Sequence, residues 1–370
     1  MRTATTAGIT MHYPNATHFA FIPAIVRFTL ATSSNITGFR LIITSDNGEI
    51  GIKDERSVFN GQCAFDIQRA LQMLFAEVEH SHIGYDEAFT DSPLKATAQV
   101  AVYTLTASVM TAYTVFSIDA IWGTISARES SGGIMRRKWF VRYPFTVDVF
   151  AKNGTSFDVL IDGKQSDIMF YNHNEDTEGA TPYHRYLLNP ARVIDPSTVA
   201  RSVHIAVPHS LVLKNDEEAV GMVGYTLDID RSTNGVYLRW IDQQGRYCYY
   251  LFKEIGSAST VSASSTWERN DMNVPTAYID GVNIETSVRQ SLSRKKTRSL
   301  GAKLVDSETY DFLLTLAQSV VVDVFDGYDA NDAPLWHRVN IVAGSYEKTT
   351  KHYQDFIFLI EEPAQSAQML

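Results

Sequence analysis

The sequence predicts a mainly β protein of two or three sandwich- or barrel-like domains, each with few packing helices. Three observations lead there. The chain has 370 residues, long for one domain and comfortable for two or three. It carries 18 Tyr, 19 Phe and 5 Trp beside many Val, Ile and Thr, side chains that fit a pleated surface. Apolar residues recur mostly with period two, with turn residues between the runs.

The first run is 18–30 (HFAFIPAIVRFTL), read as one strand with Pro23 marking an edge or bulge. Runs 39–44 and 49–53 flank Ser45-Asp46-Asn47-Gly48, and Asn-Gly between alternating runs is a hairpin signal. The period then changes. Ile67, Ala70, Leu71, Leu74, Phe75 and Val78 fall at helical spacing behind Asp66, a candidate N-cap. Strands return at 99–105 and 113–122, and Ser130-Ser131-Gly132-Gly133 separates them from 139–143, 145–150 and 157–161. Asn153-Gly154 predicts a hairpin between the last two.

Residues 172–198 are rich in Asn, Asp, Glu, Gly and Pro and read as a long surface loop. Strands follow at 203–207, 222–229, 236–241 and 247–252, the last two joined by a tight turn from Asp242 to Arg246. Residues 256–266, Ser-, Ala- and Thr-rich, read as a boundary. A second helix is expected from Ser307 with Tyr310, Leu313, Leu314 and Ala317 on its apolar face, then strands 320–325, 338–343 and 355–360 and a loose tail from 361. The domains so drawn are 1–165, β-rich with one helix; 166–256, a β region holding the long loop; and 257–370, α+β with one helix.

A hydrophobic share of 45% and a charged share of 20% are those of a folded chain rather than a disordered one. A net charge of −10 argues against general nucleic-acid binding, which needs basic surface to displace counterions. Cys63 and Cys248 stand far apart in no metal-ligand spacing and read as reduced thiols, which suits a reducing cytoplasm. No apolar run is long enough to span a bilayer, and residues 1–10 lack the apolar core of a signal peptide. The acceptor patterns at Asn15 and Asn35 are therefore read as chance.

No phosphate loop, dinucleotide fingerprint, nucleophile elbow or metalloprotease helix occurs, and the chain reads as no enzyme and as needing no cofactor. In Glu77-Val78-Glu79-His80-Ser81-His82 two His at i, i+2 could share an ion, but a solvated helix end explains them as well. His173, Glu175, Asp176, Glu178 and His184 could hold a cation or supply paired carboxylates for glycoside hydrolysis; loop carboxylates this close are more often simply solvated. No metal ligand is assigned from either.

Arg136, Arg137 and Lys138 beside Trp139, with Arg142, could bind a nucleic-acid strand, as could Arg294 to Arg298. A charged edge strand or an ion-pairing surface is the favoured reading. Tyr237, Trp240, Tyr247, Tyr249 and Tyr250 could form a sugar-stacking face, although alternation places half of them in a core. Arg136, Arg137, Trp139, Tyr237, Trp240, Tyr247 and Tyr249 are thus the candidate interface or ligand residues.

Several segments resemble tail structural proteins of bacteriophages and prophages of Bacteroidetes. The clearest is 236–252 (VYLRWIDQQGRYCYYLF), similar to a strand ending in Arg/Trp, a short Gly turn and an aromatic strand ending in Phe. Residues 59–71 (FNGQCAFDIQRAL) resemble the family's strand-to-helix element, opened by an Asp. Residues 300–304, the following helix, 319–324 and the strands around 339–341 and 356–358 also resemble it. At Tyr247-Cys248-Tyr249 the chain departs from the commoner pattern, which has a second Gly and an Asp.

The resemblance implies a virion structural protein akin to a distal tail or baseplate component, forming a ring that links the tail tube to the host-recognition apparatus. Its partners would be itself and other tail proteins, with no nucleic acid and no membrane span. It would be made in the bacterial cytoplasm and reside in the virion tail. The alternative is a carbohydrate-binding or adhesin module at a tail tip or cell surface, with host glycan as partner.

Overall fold

The computed structural model describes residues 1–31, 35–46, 48, 51–77, 83–107, 109–124, 134–152, 156–171, 183–206, 224–268, 287–363 and 365–368. The protein is mainly β with two α-helices among these residues, as its composition predicts. It divides into two compact units, one of Met1–Ser232 with Ile241–Cys248, the other of Thr233–Trp240 with Tyr249–Leu370.

In the first unit two sheets share a core. One is antiparallel, in the order Arg2–Thr6, Ile9–Tyr13, Ile25–Leu30, Gln62–Asp66. The other runs Thr17–Phe19, Val109–Ile121, Lys95–Thr106, Gly38–Ser45, Gly51–Ser57. Their alternating apolar residues meet: Met11, Val26, Phe28 and Phe65 from the first, Phe39, Leu41, Val100 and Ile118 from the second. Phe28 stacks on Phe39 with ring centroids 4.0 Å apart. The helix Gln68–Met73, continued by a 3-10 turn Leu74–Glu77, adds Ala70, Leu71, Leu74 and Phe75. Asp66 accepts the backbone N–H of Gln68 at 3.0 Å, so its carboxylate does serve the helix start, although Ile67 holds the cap position.

Residues 18–30 form two strands in different sheets rather than one. The break falls around Pro23, which has no N–H to give to a ladder. Across the predicted Asn47-Gly48 turn, Gly38–Ser45 and Gly51–Ser57 do pair antiparallel.

The unit's other strands make a five-stranded sheet (Ile134–Phe140, Gly224–Asp230, Ser202–Ala206, Ser156–Ile161, Lys164–Tyr171) and a three-stranded one (Val147–Lys152, Tyr183–Leu188, Phe89–Asp91). The expected hairpin across Asn153-Gly154 is corrected. Val147–Lys152 pairs with Tyr183–Leu188, whereas Ser156–Ile161 turns back onto Lys164–Tyr171. The turn that wins is Asp162-Gly163, with φ of +49° and +80°, the double left-handed geometry of a tight hairpin. The stretch expected as a loop over 172–198 holds the strand Tyr183–Leu188 and 3-10 turns at Pro190–Arg192 and Pro196–Thr198, capped by Asn189 and Asp195.

The second unit is built on one sheet in the order Pro334–Arg338, Val322–Tyr328, Val236–Ile241, Tyr247–Glu268, Ser287–Asp306, Tyr353–Glu361, Asn340–Ile341. Gln365–Gln368 pairs with Ser287–Asp306, so residues expected as a loose tail include a strand. The helix Ser307–Ala317 packs on this sheet through Tyr310 against Phe356 and Phe312 against Trp240, at 5.5 and 5.2 Å. Its N-cap is Asp306, whose carboxylate accepts the N–H of Thr309 at 2.7 Å; Ser307, expected as the start, is the first helical residue.

That assignment predicts that Asp306→Ala costs about 1 kcal/mol of stability while Ser307→Ala costs no more than a few tenths, measured by urea denaturation. Equal losses would contradict it.

Candidate assembly surface

The longest strands among the described residues face each other. Tyr247–Glu268 and Ser287–Asp306 pair antiparallel from Lys253 opposite Gly301 out to Glu268 opposite Ser287, with a bulge between Glu254 and Gly256. Residues 256–266, expected as a boundary, therefore lie within one continuous strand of a two-stranded arm. Thr and Val favour an extended backbone there, and no proline interrupts it.

The arm's two sides differ. Beyond Ser287–Asp306 lie Tyr353–Glu361 and Gln365–Gln368. The other strand neighbours Val236–Ile241 near its start, and past Phe252 no strand among the described residues pairs with its outer edge. Residues 253–262 are all exposed. An open edge presents unpaired N–H and C=O groups to whatever can add a strand.

The basic run 294–298 lies on the inner arm strand, and acids meet it. Lys295 pairs with Glu361, Lys296 with Glu362, and Arg298 with both Glu254 (2.8 Å) and Glu362 (3.4 Å). Hydrogen bonding to Arg298 holds the Glu254 carboxyl below its usual range. Arg294 donates to the Ser259 hydroxyl at 3.0 Å. This is an ion-paired sheet surface.

The other candidate residues fall into two clusters, one in each unit, rather than one site. In the second unit Tyr237, Trp240 and Tyr249 are buried, and so is Tyr250. Tyr237 stacks on Tyr249 at 6.1 Å, and Trp240 donates its indole N–H to Thr315 Oγ1 at 2.9 Å. The sugar-stacking face is thus corrected. Both faces of Val236–Ile241 are covered, so alternation exposes neither set. Sequence reading missed a buried ion pair beside them, Arg239 with Asp323, which the exposed Arg338 joins. Asp323 accepts from Arg239 (2.8 Å) and Arg338 (2.5 Å), and the Arg239 guanidinium lies 4.4 Å over the Trp336 ring. An Asp on a buried strand was its one sequence signal.

In the first unit Arg136 is exposed but forked onto Asp228, at 2.5 and 3.1 Å. Arg137 bonds the Arg136 carbonyl at 2.8 Å, and burial lowers its pKa. Trp139 is buried and stacks on Phe145 at 6.3 Å. Neither a basic groove nor an exposed stacking ring results. Tyr247 is buried as well, and its backbone N–H donates to Asp148 Oδ2 at 2.8 Å.

The turn predicted from Asp242 to Arg246 is present and explains this knot. Asp242 accepts the N–H groups of Gln244 and Arg246 and pairs with the Arg246 guanidinium at 2.6 Å. Gly245, at φ +75°, lies so close to Trp122 that a Cβ would stand 2.1 Å from its carbonyl oxygen. Burial pushes the Asp148 carboxyl up to about 8, with Arg185 and the Tyr247 N–H opposing it, and keeps the Cys248 thiol protonated. A protonated buried thiol is a poor nucleophile. These groups act as ties between strands.

Val78 and Glu79 to His82, and His173, Glu175, Asp176 and Glu178, lie outside the described residues. His184 is placed only as a position in Tyr183–Leu188, opposite Ala151. Among the described residues no group of three His, Cys, Asp or Glu is arranged to hold a metal, and no helix is long and apolar enough to cross a membrane. Cys63 and Cys248 are both free thiols and buried.

No known family profile matches the chain, and no curated protein sequence matches it.

Asp148 gives a pH prediction. Its folded pKa lies above the unfolded value of about 3.9, so its stabilising contribution is full below about pH 4 and declines as pH rises through 8. The slope from this one group is up to about 1.4 kcal/mol per pH unit. Urea midpoints from pH 5 to 8 should therefore fall less steeply for Asp148→Asn than for the unaltered protein. Parallel curves would contradict the assignment.

Proposed function

We propose that this chain is a structural subunit of a bacteriophage tail, a ring or baseplate component that joins the tail tube to the host-recognition apparatus. It works by contacts between copies and with neighbouring tail proteins. The observation that carries this reading is the exposed arm, whose outer strand leaves a long backbone edge open. In a lone subunit such an edge is a liability; in a closed ring each copy can satisfy its neighbour.

Two further observations support it. The aromatic residues that a sugar-binding role would use are committed to the interior. The charged groups that could have served a nucleic acid are engaged within their own sheets, by Asp228, Glu254, Glu361 and Glu362. The resemblance to tail proteins over the segments 59–71, 236–252 and 300–324 points the same way.

Light scattering on the purified protein over a concentration range tests the reading. A discrete oligomer of fixed copy number is expected. A strict monomer at every concentration would overturn it.

A further inference from the structure

We propose that the open arm edge of one copy pairs with the open edge of Val109–Ile121 in a second copy, so that copies join head to tail. This deepens the assembly reading above and rests on it.

Charge selects these two edges. Among the described residues, each sheet-terminal strand of five or more residues carries at least one charged residue, and Gly51–Ser57 carries Lys53, Asp54, Glu55 and Arg56 in succession. Such charges block the addition of a further strand. The arm carries no charged residue from 255 to 267, and Val109–Ile121 carries none from 109 to 118. The latter strand pairs with Lys95–Thr106 on one side. On the other, Thr17–Phe19 reaches only Asp119 to Ile121 and the Arg2 guanidinium donates to the Ser117 carbonyl at 3.0 Å, so 109–116 is left with no strand partner among the described residues.

Length and side-chain size select the match between them. The exposed, uncharged arm segment 255–262 and the segment 109–116 would each offer about 26 Å of edge. Val109 and Val115 are each 64% exposed, as is 45% of Met110. The arm offers mostly Ser, Ala and Thr over 257–262, small residues that leave room for those larger ones. Arm against arm would instead oppose small to small and cover little apolar surface. Pairing between two different edges is heterologous, so it closes into a ring or continues as a filament.

Paired edge variants provide the test. Ser259→Glu with Val261→Glu charges the arm edge, and both positions oppose cations, Lys296 and Arg294, which favours an intact arm. Val109→Glu with Val115→Glu charges the other edge at exposed positions. At a concentration where the unaltered protein is oligomeric by light scattering, each variant should be monomeric. An equimolar mixture should stop at a dimer of one copy of each, since one good edge remains on either side, and that dimer also shows that both variants fold. Unchanged oligomers in either variant would overturn the pairing and leave the assembly reading standing. A monomeric unaltered protein would overturn both.

Discussion

Every open β-sheet ends in two strands that hold hydrogen-bonding groups on one side with no ladder to receive them, and this protein is mostly sheet. How each edge is finished decides which surfaces are inert and which can assemble. Most terminal strands here are finished within the chain's own chemistry: by charge in Gly51–Ser57, by proline and arginine in Pro334–Arg338, by brevity in Asn340–Ile341. The arm strand is finished by none of these along 255–267. The assembly proposal follows from that contrast, rather than from any pocket or catalytic group.

Buried polar ties complement the edges. Asp242 closes the turn that leads into the arm strand, and Asp148 receives the N–H of Tyr247 at that strand's first residue. In the second unit Asp323 draws Arg239 and Arg338 together beneath Trp336. Buried ion pairs of this kind are weak sources of net stability, because desolvation offsets most of the attraction. Their stronger effect is on register: a strand shifted by one residue would leave a buried charge without its counterpart.

The sequence revealed local structure better than partnership. Period-two runs marked strands, and Asp-Gln-Gln-Gly-Arg marked a turn that the structure contains, because both depend on a few neighbouring residues. Helical spacing from Ile67 to Phe75 and from Tyr310 onward marked the two helices for the same reason. Partnership was less legible. Val147–Lys152 alternates well enough for a hairpin, but its mate comes from Tyr183–Leu188, about thirty residues on, and Asp162-Gly163 competes for the strand between. The Ser/Ala/Thr stretch read as a boundary because it lacks large apolar residues. An arm strand exposed on both faces has no core to fill and so needs none. Tyr237, Trp240, Tyr247 and Tyr249 looked available for a ligand because alternation assumes one wet face, and this sheet is covered on both at that point.

The central claim is that the arm's open backbone is satisfied by another copy of the chain. Amide hydrogen exchange followed by mass spectrometry, compared between dilute and assembled protein, reads that backbone directly. The account predicts slowed exchange on assembly in 255–262 and in 109–116, with no change in the charged edge Gly51–Ser57. Assembly that leaves exchange in 255–262 unchanged, while protecting some other surface, would contradict it.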